Sequence, residues 1–194
     1  MLAEHRQSLE EIAEYIRSDC YRSTGKYDVH SILKALLFNR SVKYCFWFRL
    51  CRARFFLLRF IAKRMHNFLS DKYSIQIQWD TKIGYGLFLG HHMCVVVNHS
   101  AELGDNVNLS QFTTIGANEG RAALVGSNVY IGPGVSIVGN LKIGEGATIG
   151  AGAVVTRNVA ACHTAVGSPA KGSTSKEPRK YIQNPWPPND YKAN

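Results

Sequence analysis

A chain of 194 residues, 45% of them hydrophobic, is long enough for one core with a small appendage, which excludes disorder of the whole chain. Its formal net charge of +9 admits nucleic acid, membrane headgroups or an anionic small ligand as partner until the charge is located along the chain. Five scattered cysteines without a CxxC pair exclude a disulfide framework and a zinc site of that type, and reduced thiols in a cytoplasm are expected.

The leading residues MLAEHRQSLEEIAEY are charged where a secretory signal would be apolar. Leu9, Ile12, Ala13 and Ile16 recur at helical spacing, with Glu10, Glu11 and Glu14 between them, predicting an amphipathic helix from about Ser8 to Cys20. After a Ser-Thr-Gly turn at 23–25, Asp28 is placed to cap a short helix carrying Ile32, Leu33, Leu36 and Leu37. A basic, aromatic helix or helix pair then runs from about Ser41 to Leu69. Arg40, Lys43, Arg49, Arg52, Arg54, Arg59, Lys63 and Arg64 fall in or beside it with no acidic residue among them, so nearly all the excess charge sits here. Two readings stay open for the stretch 40–69. It is a cap packing its aromatics on the rest of the molecule or between subunits, or an interfacial helix lying on the anionic inner face of a membrane. Arginine breaks every apolar run near Phe55 to Ala62, so no spanning segment is expected. No helix-turn-helix, zinc-finger or RNP-like pattern accompanies the charge, which argues against nucleic acid as a partner.

At Ile75 the pattern changes to a six-residue repeat. Ile77, Ile83, Leu89 and Val95 lie six apart. Leu103, Leu109 and Ile115 follow after a two-residue slip, and Val125, Ile131, Ile137, Ile143, Ile149 and Val155 after a four-residue insertion. A second small or aliphatic residue sits two positions earlier in most hexads, and glycine often follows, as at Gly84, Gly104, Gly126 and Gly144. Three hexads make one triangular turn, in which the aliphatic column points inward and Asn106, Asn128 and Asn140 take corners that favour positive φ. The expected fold is mainly β, a parallel β-helix over 74–171, preceded by an N-terminal α-helical region over 1–73. A polar, proline-rich tail over 172–194 is expected to be loosely ordered unless it packs on a neighbour.

The strings IGYGLFLGHH, AELGDNVNLSQFTTIG, VGSNVYIGPGVSIVGNLKIGEGATIGAGAVV and AVGSPAK resemble the hexapeptide-repeat acyltransferases, in particular the serine O-acetyltransferase-like branch, over about Ile75 to Lys171. The resemblance implies a left-handed parallel β-helix, acetyl-CoA as co-substrate, no metal, and a homotrimer, with pairing into a hexamer through the N-terminal helices left open. His91 falls where the family has its catalytic histidine, with His92 beside it as the second candidate. Imidazole suits the task, because taking the proton of an attacking hydroxyl needs a base near neutral pKa. Gly132 and Pro133, with Gly150 and Ala151, look like the family's wall for the pantetheine arm. Pro169 and Lys171 fall in a segment similar to its closing G-x-P-A-K/R signature, whose basic residue meets CoA phosphates. Cys94 and Cys162 read as buried small apolar residues. The γ-class carbonic anhydrases share the fold, but they hold zinc with three histidines on successive coils. Here His91, His92 and His99 are crowded together and only His163 follows.

Three positions depart from that branch. Gly90 stands where the family has an aspartate that contacts serine, and Gln76 where a second aspartate holds the histidine. Arg121-Ala122 replaces an Arg-His pair that meets the substrate carboxylate. A zwitterionic acceptor would lose its ammonium partner at Gly90 and part of its carboxylate clamp at Arg121-Ala122. The expectation is therefore a neutral, open site suited to a saccharide hydroxyl, in capsule, exopolysaccharide or lipopolysaccharide biosynthesis, with serine as the alternative acceptor. The N-terminal segment IRSDCYRSTGKYDVHSILKALLFN also resembles proteins of those pathways.

Overall fold

A computed structural model describes residues 6–118, 120–175 and 177–191; the first five residues of the charged leader and the last three of the tail lie outside the described residues. The chain begins with four helices, α1 (Leu9–Thr24), α2 (Val29–Phe38), α3 (Arg40–Leu50) and α4 (Phe56–Tyr73). A reciprocal capping box opens α1: Ser8 N–H donates to Glu11 Oε2 at 2.8 Å and Glu11 N–H to Ser8 Oγ at 3.2 Å. The helix runs to Thr24, a turn beyond the expected end, and stops at Gly25 with φ 70. Asp28 caps α2 by accepting from Ser31 N–H at 3.0 Å.

The basic aromatic stretch is two helices, and they divide its side chains between them. α3 turns Tyr44, Cys45 and Phe48 into the β-helix core, whereas α4 leaves Phe56, Leu57, Phe60, Ile61 and Phe68 exposed. Arg49 belongs to the buried half. Its guanidinium forms a bidentate pair with Asp19 of α1, at 2.9 and 3.1 Å, and donates to the carbonyls of Ile83 and Gly84 at 2.8 and 2.7 Å. The same carboxylate accepts from Leu87 N–H at 2.8 Å. Burial alone opposes the charge on Arg49, but Asp19 more than offsets it and the guanidinium holds its proton more tightly than usual. Arg22 joins this clamp by donating to the Gly86 carbonyl at 3.1 Å and to Asn108 Oδ1.

The repeat folds into three sheets of five, four and six strands, parallel except for the last strand of the third, and successive strands up to Val154–Val155 visit the three in turn. β1 (Gln76–Ile77), β2 (Lys82–Ile83) and β3 (Phe88–Leu89) make the first coil; β4 (Val96–Val97), β5 (Glu102–Leu103) and β6 (Asn108–Leu109) the second. β7 (Thr114–Gly116), β8 (Leu124–Val125) and β9 (Tyr130–Ile131) make the third, and β10 (Ser136–Val138), β11 (Lys142–Ile143) and β12 (Thr148–Ile149) the fourth. β13 (Val154–Val155), a bridge from Ile143 to Val159, and β14 (His163–Val166) form a shortened fifth, closed by the antiparallel β15 (Lys171–Thr174). The result is the parallel β-helix that the repeat predicts, of the left-handed kind that the resemblance implies, with N-terminal helices packed on its first coils.

The inward column differs from the expected one at a single place. Val97 pairs with Ile77 and Ile115, so the two-residue slip falls between Leu89 and Val97, one hexad earlier, and Val95 takes the secondary position. Left-handed corners occur at Asn106 and Asn128 (φ 57 each), as expected, but Gly139 (φ 102) takes that role in place of Asn140. The glycines that follow the strands serve a different end. At Gly144 a Cβ would come within 2.3 Å of the Ala161 nitrogen in the next coil, so close stacking of coils demands glycine there.

Among the described residues, the tail that was expected to be loosely ordered is anchored on its own chain at Tyr181 and Trp186. Asn106 exchanges two hydrogen bonds with the backbone of Trp186, at 2.8 and 2.7 Å, and Asn108 Nδ2 donates to Tyr181 O at 3.0 Å. Trp186 is buried against Tyr21, Tyr27 and Tyr191.

Candidate active site

The two extra residues between Leu89 and Val97 bulge from one edge of the prism as a tight 3₁₀ turn, Gly90–His92. His91 (φ 59), His92 (φ 33) and Cys94 (φ 52) all take left-handed backbone conformations there. Both imidazoles face a cleft of about 810 Å³ between this turn and the helical cap. The cap lines it with Lys26, His30, Lys34, Arg40 and Ser41, and among the described residues no acidic side chain lines it. His91 is exposed, whereas His92 is half-buried and meets the Tyr73 ring edge-on at 5.8 Å. Burial, the positive charge of Arg40 and the neighbouring His91 push the His92 pKa down, which favours a neutral imidazole.

The edge that carries His91 continues upward through every coil. Gly90-His91, Ser110-Gln111, Gly132-Pro133 and Gly150-Ala151 follow β3, β6, β9 and β12 of the six-stranded sheet, and Val166 ends β14. Backbone bonds join the levels: Gly134 N–H donates to Gln111 O at 3.0 Å, and Gly152 N–H to Pro133 O at 2.9 Å. Pro133, Gly150 and Ala151 line a groove of about 480 Å³ along this edge, while Gly132 is buried beneath them. Pro169, after a cis Ser168-Pro169 bond, and Lys171 lie exposed at the hairpin between β14 and β15. At about 4.8 Å per coil, four coils put this hairpin roughly 19 Å above His91 along the axis. The structure thus gathers the histidines, the glycine-proline wall and the exit hairpin on one edge.

The remaining positions stand apart. Gln76 lies exposed on β1, in a separate groove bounded by His66, Trp79 and His99. Gly90 is unlike the stacking glycines, because a Cβ there would meet nothing nearer than 3.6 Å; the coil leaves room for an aspartate that the sequence does not supply. Arg121 is exposed in the four-residue insertion, and Ala122 beside it is fully buried and donates its N–H to Ser100 Oγ at 2.9 Å. Cys94 and Cys162 (φ 56) occupy half-buried left-handed corners and not the core; Cys20, Cys45 and Cys51 are the buried thiols, burial pushing Cys51 up to about 12. Sequence reasoning missed the cap's contribution to the cleft. Lys26, His30 and Lys34 belong to no motif, and a helix some sixty residues upstream reaches His91 only through the tertiary fold.

Residues 122–157 match the family described as bacterial transferase hexapeptide (six repeats). A serine acetyltransferase of Bacillus licheniformis is 36% identical over 124 residues, which cover 62% of this chain and 56% of that one, so the chain spans little over half of that relative's length. The serine acetyltransferase of Helicobacter pylori is 36% identical over 119 residues, covering 59% of this chain and 70% of its own. Among solved structures, the soybean serine acetyltransferase apoenzyme superposes with a TM-score of 0.68 at 31% identity, over 84% of this chain and 69% of that one; the same enzyme is also known in complex with serine. A further serine acetyltransferase structure, 25% identical with a TM-score of 0.64, is a complex with CoA.

These likenesses overturn the expectation of a saccharide acceptor and of a place in polysaccharide biosynthesis, since the relatives and structures reported are serine acetyltransferases throughout. The physical premise fails as well. A neutral, open site was inferred from the losses at Gly90, Gln76 and Ala122, yet the cleft beside His91 is lined by cations from the helical cap. The repeat, the coil architecture and the extent of similarity to the Helicobacter and soybean proteins agree: the chain belongs to the serine acetyltransferase family of hexapeptide-repeat transferases.

Proposed function

We propose that this chain transfers the acetyl group of acetyl-CoA to the hydroxyl of serine. The observation that carries the reading is the shared edge: His91 opens a cleft at one end, and a glycine-proline wall leads from there to the exit hairpin. In this reading the pantetheine arm lies along Pro133, Gly150 and Ala151, where small residues permit close backbone approach, and Lys171 meets the CoA phosphates. His91 takes the hydroxyl proton as the serine oxygen attacks the acetyl carbonyl carbon. The new C–O bond forms, the C–S bond breaks, and the imidazolium returns its proton to the departing thiolate. His92, favoured neutral and held against Tyr73, supports the turn that presents His91.

The partners proposed with this activity are two further copies of the chain, in a homotrimer that sets the edge of one β-helix against the next, and an anionic membrane surface. The second rests on α4, whose exposed Phe56, Leu57, Phe60, Ile61 and Phe68 lie beside Arg54, Arg59 and Arg64, an apolar stripe with a cationic margin. Among the described residues no helix is long and apolar enough to cross a membrane.

Thiol release from acetyl-CoA tests the activity. Serine is expected to raise the rate well above CoA hydrolysis, with O-acetylserine as product by mass spectrometry. A rate that serine leaves unchanged refutes the reading.

A further inference from the structure

We infer that the helical cap holds the acceptor's carboxylate, through Lys34 and Arg40 with Ser41 beside them, in place of the Arg-His pair that Arg121-Ala122 no longer supplies. The inference rests on the serine reading of the same cleft, and four observations carry it. First, Lys26, His30, Lys34 and Arg40 converge on the cleft that His91 and His92 face, and among the described residues no acidic side chain lines it. Asp28, at the start of α2, accepts from both the N–H and the hydroxyl of Ser31 and lies in the field of His30, so it is engaged within α2. An excess of cations around a concave surface raises the local concentration of an anion.

Second, Ser41 lines the same cleft with 5% of its surface exposed, and its hydroxyl has no hydrogen-bond partner among the described residues. A buried hydroxyl left without a partner is costly, and an arriving carboxylate oxygen would satisfy it. Third, Arg40 and Ser41 are the first residues of α3, an eleven-residue helix whose N-terminus opens onto the cleft. The Asn39 side chain caps Val42 N–H at 3.1 Å, which leaves the first-turn N–H groups of Arg40 and Ser41 free to face an anion. Fourth, Ala122 is fully buried in the core, so the position of the missing histidine cannot serve the acceptor. The Arg40 charge also depresses the His92 pKa, which places its field at the histidine turn.

The experiment compares serine with serinamide, which keeps the hydroxyl and the ammonium and lacks the carboxylate. The wild-type protein is expected to prefer serine by at least about tenfold in kcat/KM. In Lys34→Ala/Arg40→Ala that preference is expected to fall toward one, the serine KM rising about tenfold or more while the acetyl-CoA KM stays unchanged; Arg40→Lys is expected to restore part of it. Unchanged discrimination in the double variant overturns the inference and leaves the serine reading intact. Direct titration with glycerate, a hydroxy acid without an ammonium group, separates the two claims further. If serine is not turned over, glycerate binding that is lost in the double variant keeps the carboxylate pocket and rejects the serine reading. Equal glycerate binding by both proteins rejects the pocket. A preference for inorganic phosphate over glycerate overturns the carboxylate assignment.

Discussion

His91 and His92 are held at positive φ, a region that costs a non-glycine residue of order 1–3 kcal/mol and persists only where the surroundings impose it. Here the two extra residues of the corner impose it, and the bulge aims both rings at the cleft. His91→Ala is expected to lower kcat about 10²- to 10⁴-fold with little change in the acetyl-CoA KM, and His92→Ala to cost much less. His91→Gly should be as inactive yet no less stable than the natural protein, since glycine accepts the same backbone without strain. Steady-state kinetics and thermal melts on the three variants check this, and a His91→Ala protein turning over near the natural rate removes the base assignment. The sequence offered HH in a regular hexad and gave no sign of the backbone conformation, because strain depends on how the flanking strands β3 and β4 are fixed by neighbouring coils.

α1 and α3 meet the first coil through polar side chains that composition alone would put at the surface. Arg49 is 1% exposed, and its ion pair with Asp19 is satisfied on both sides by backbone groups at 2.7 to 2.8 Å. Arg49→Ala strands a buried carboxylate and is expected to cost about 3–5 kcal/mol, read as a shift in the urea midpoint at constant slope. A loss below about 1 kcal/mol would show that the clamp carries little of the stability. α4 contributes a second buried polar contact, His66 Nε2 against Tyr44 OH at 3.0 Å. Burial lowers the His66 pKa to about 4 from the ordinary 6.5, so the folded protein keeps this ring neutral while the unfolded chain protonates it first. Its contribution is complete above pH 6.5 and disappears as pH falls toward 4, a loss of roughly 3 kcal/mol at most. Melts across that window should flatten in His66→Phe; an equal slope in both proteins would assign the acid sensitivity elsewhere.

At the scale of the molecule, the exposed stripe of α4 leaves an apolar surface uncovered in the single chain, as do Val29, Leu33, Leu37 and Phe38 of α2. Co-sedimentation with phosphatidylserine vesicles at low salt is expected to capture the protein and to fail with neutral vesicles, with Phe60→Glu abolishing capture. Absence of binding alongside a hexameric mass in solution would assign the stripe to a second trimer.

The six-residue period by itself determined the β-helix and, save for Val97 in place of Val95, the inward column, because a short-range repeat of aliphatic residues has one way to bury itself when coils stack. Asn106 and Asn128 were legible as corners for the same local reason. The chemistry of the acceptor cleft was not legible. Reading Gly90, Gln76 and Arg121-Ala122 as losses led to a neutral site, because residues compared one by one cannot reveal a replacement that comes from another part of the chain. Only the tertiary structure decided that Arg49 is buried and Arg40 is not, that the tail from 177 closes on Asn106 and Asn108, and that cations of α2 and α3 stand at His91. Each of these depends on which face of a helix meets the first coil, and that orientation is set by the Asp19–Arg49 clamp and core packing across sequence separations of thirty residues or more.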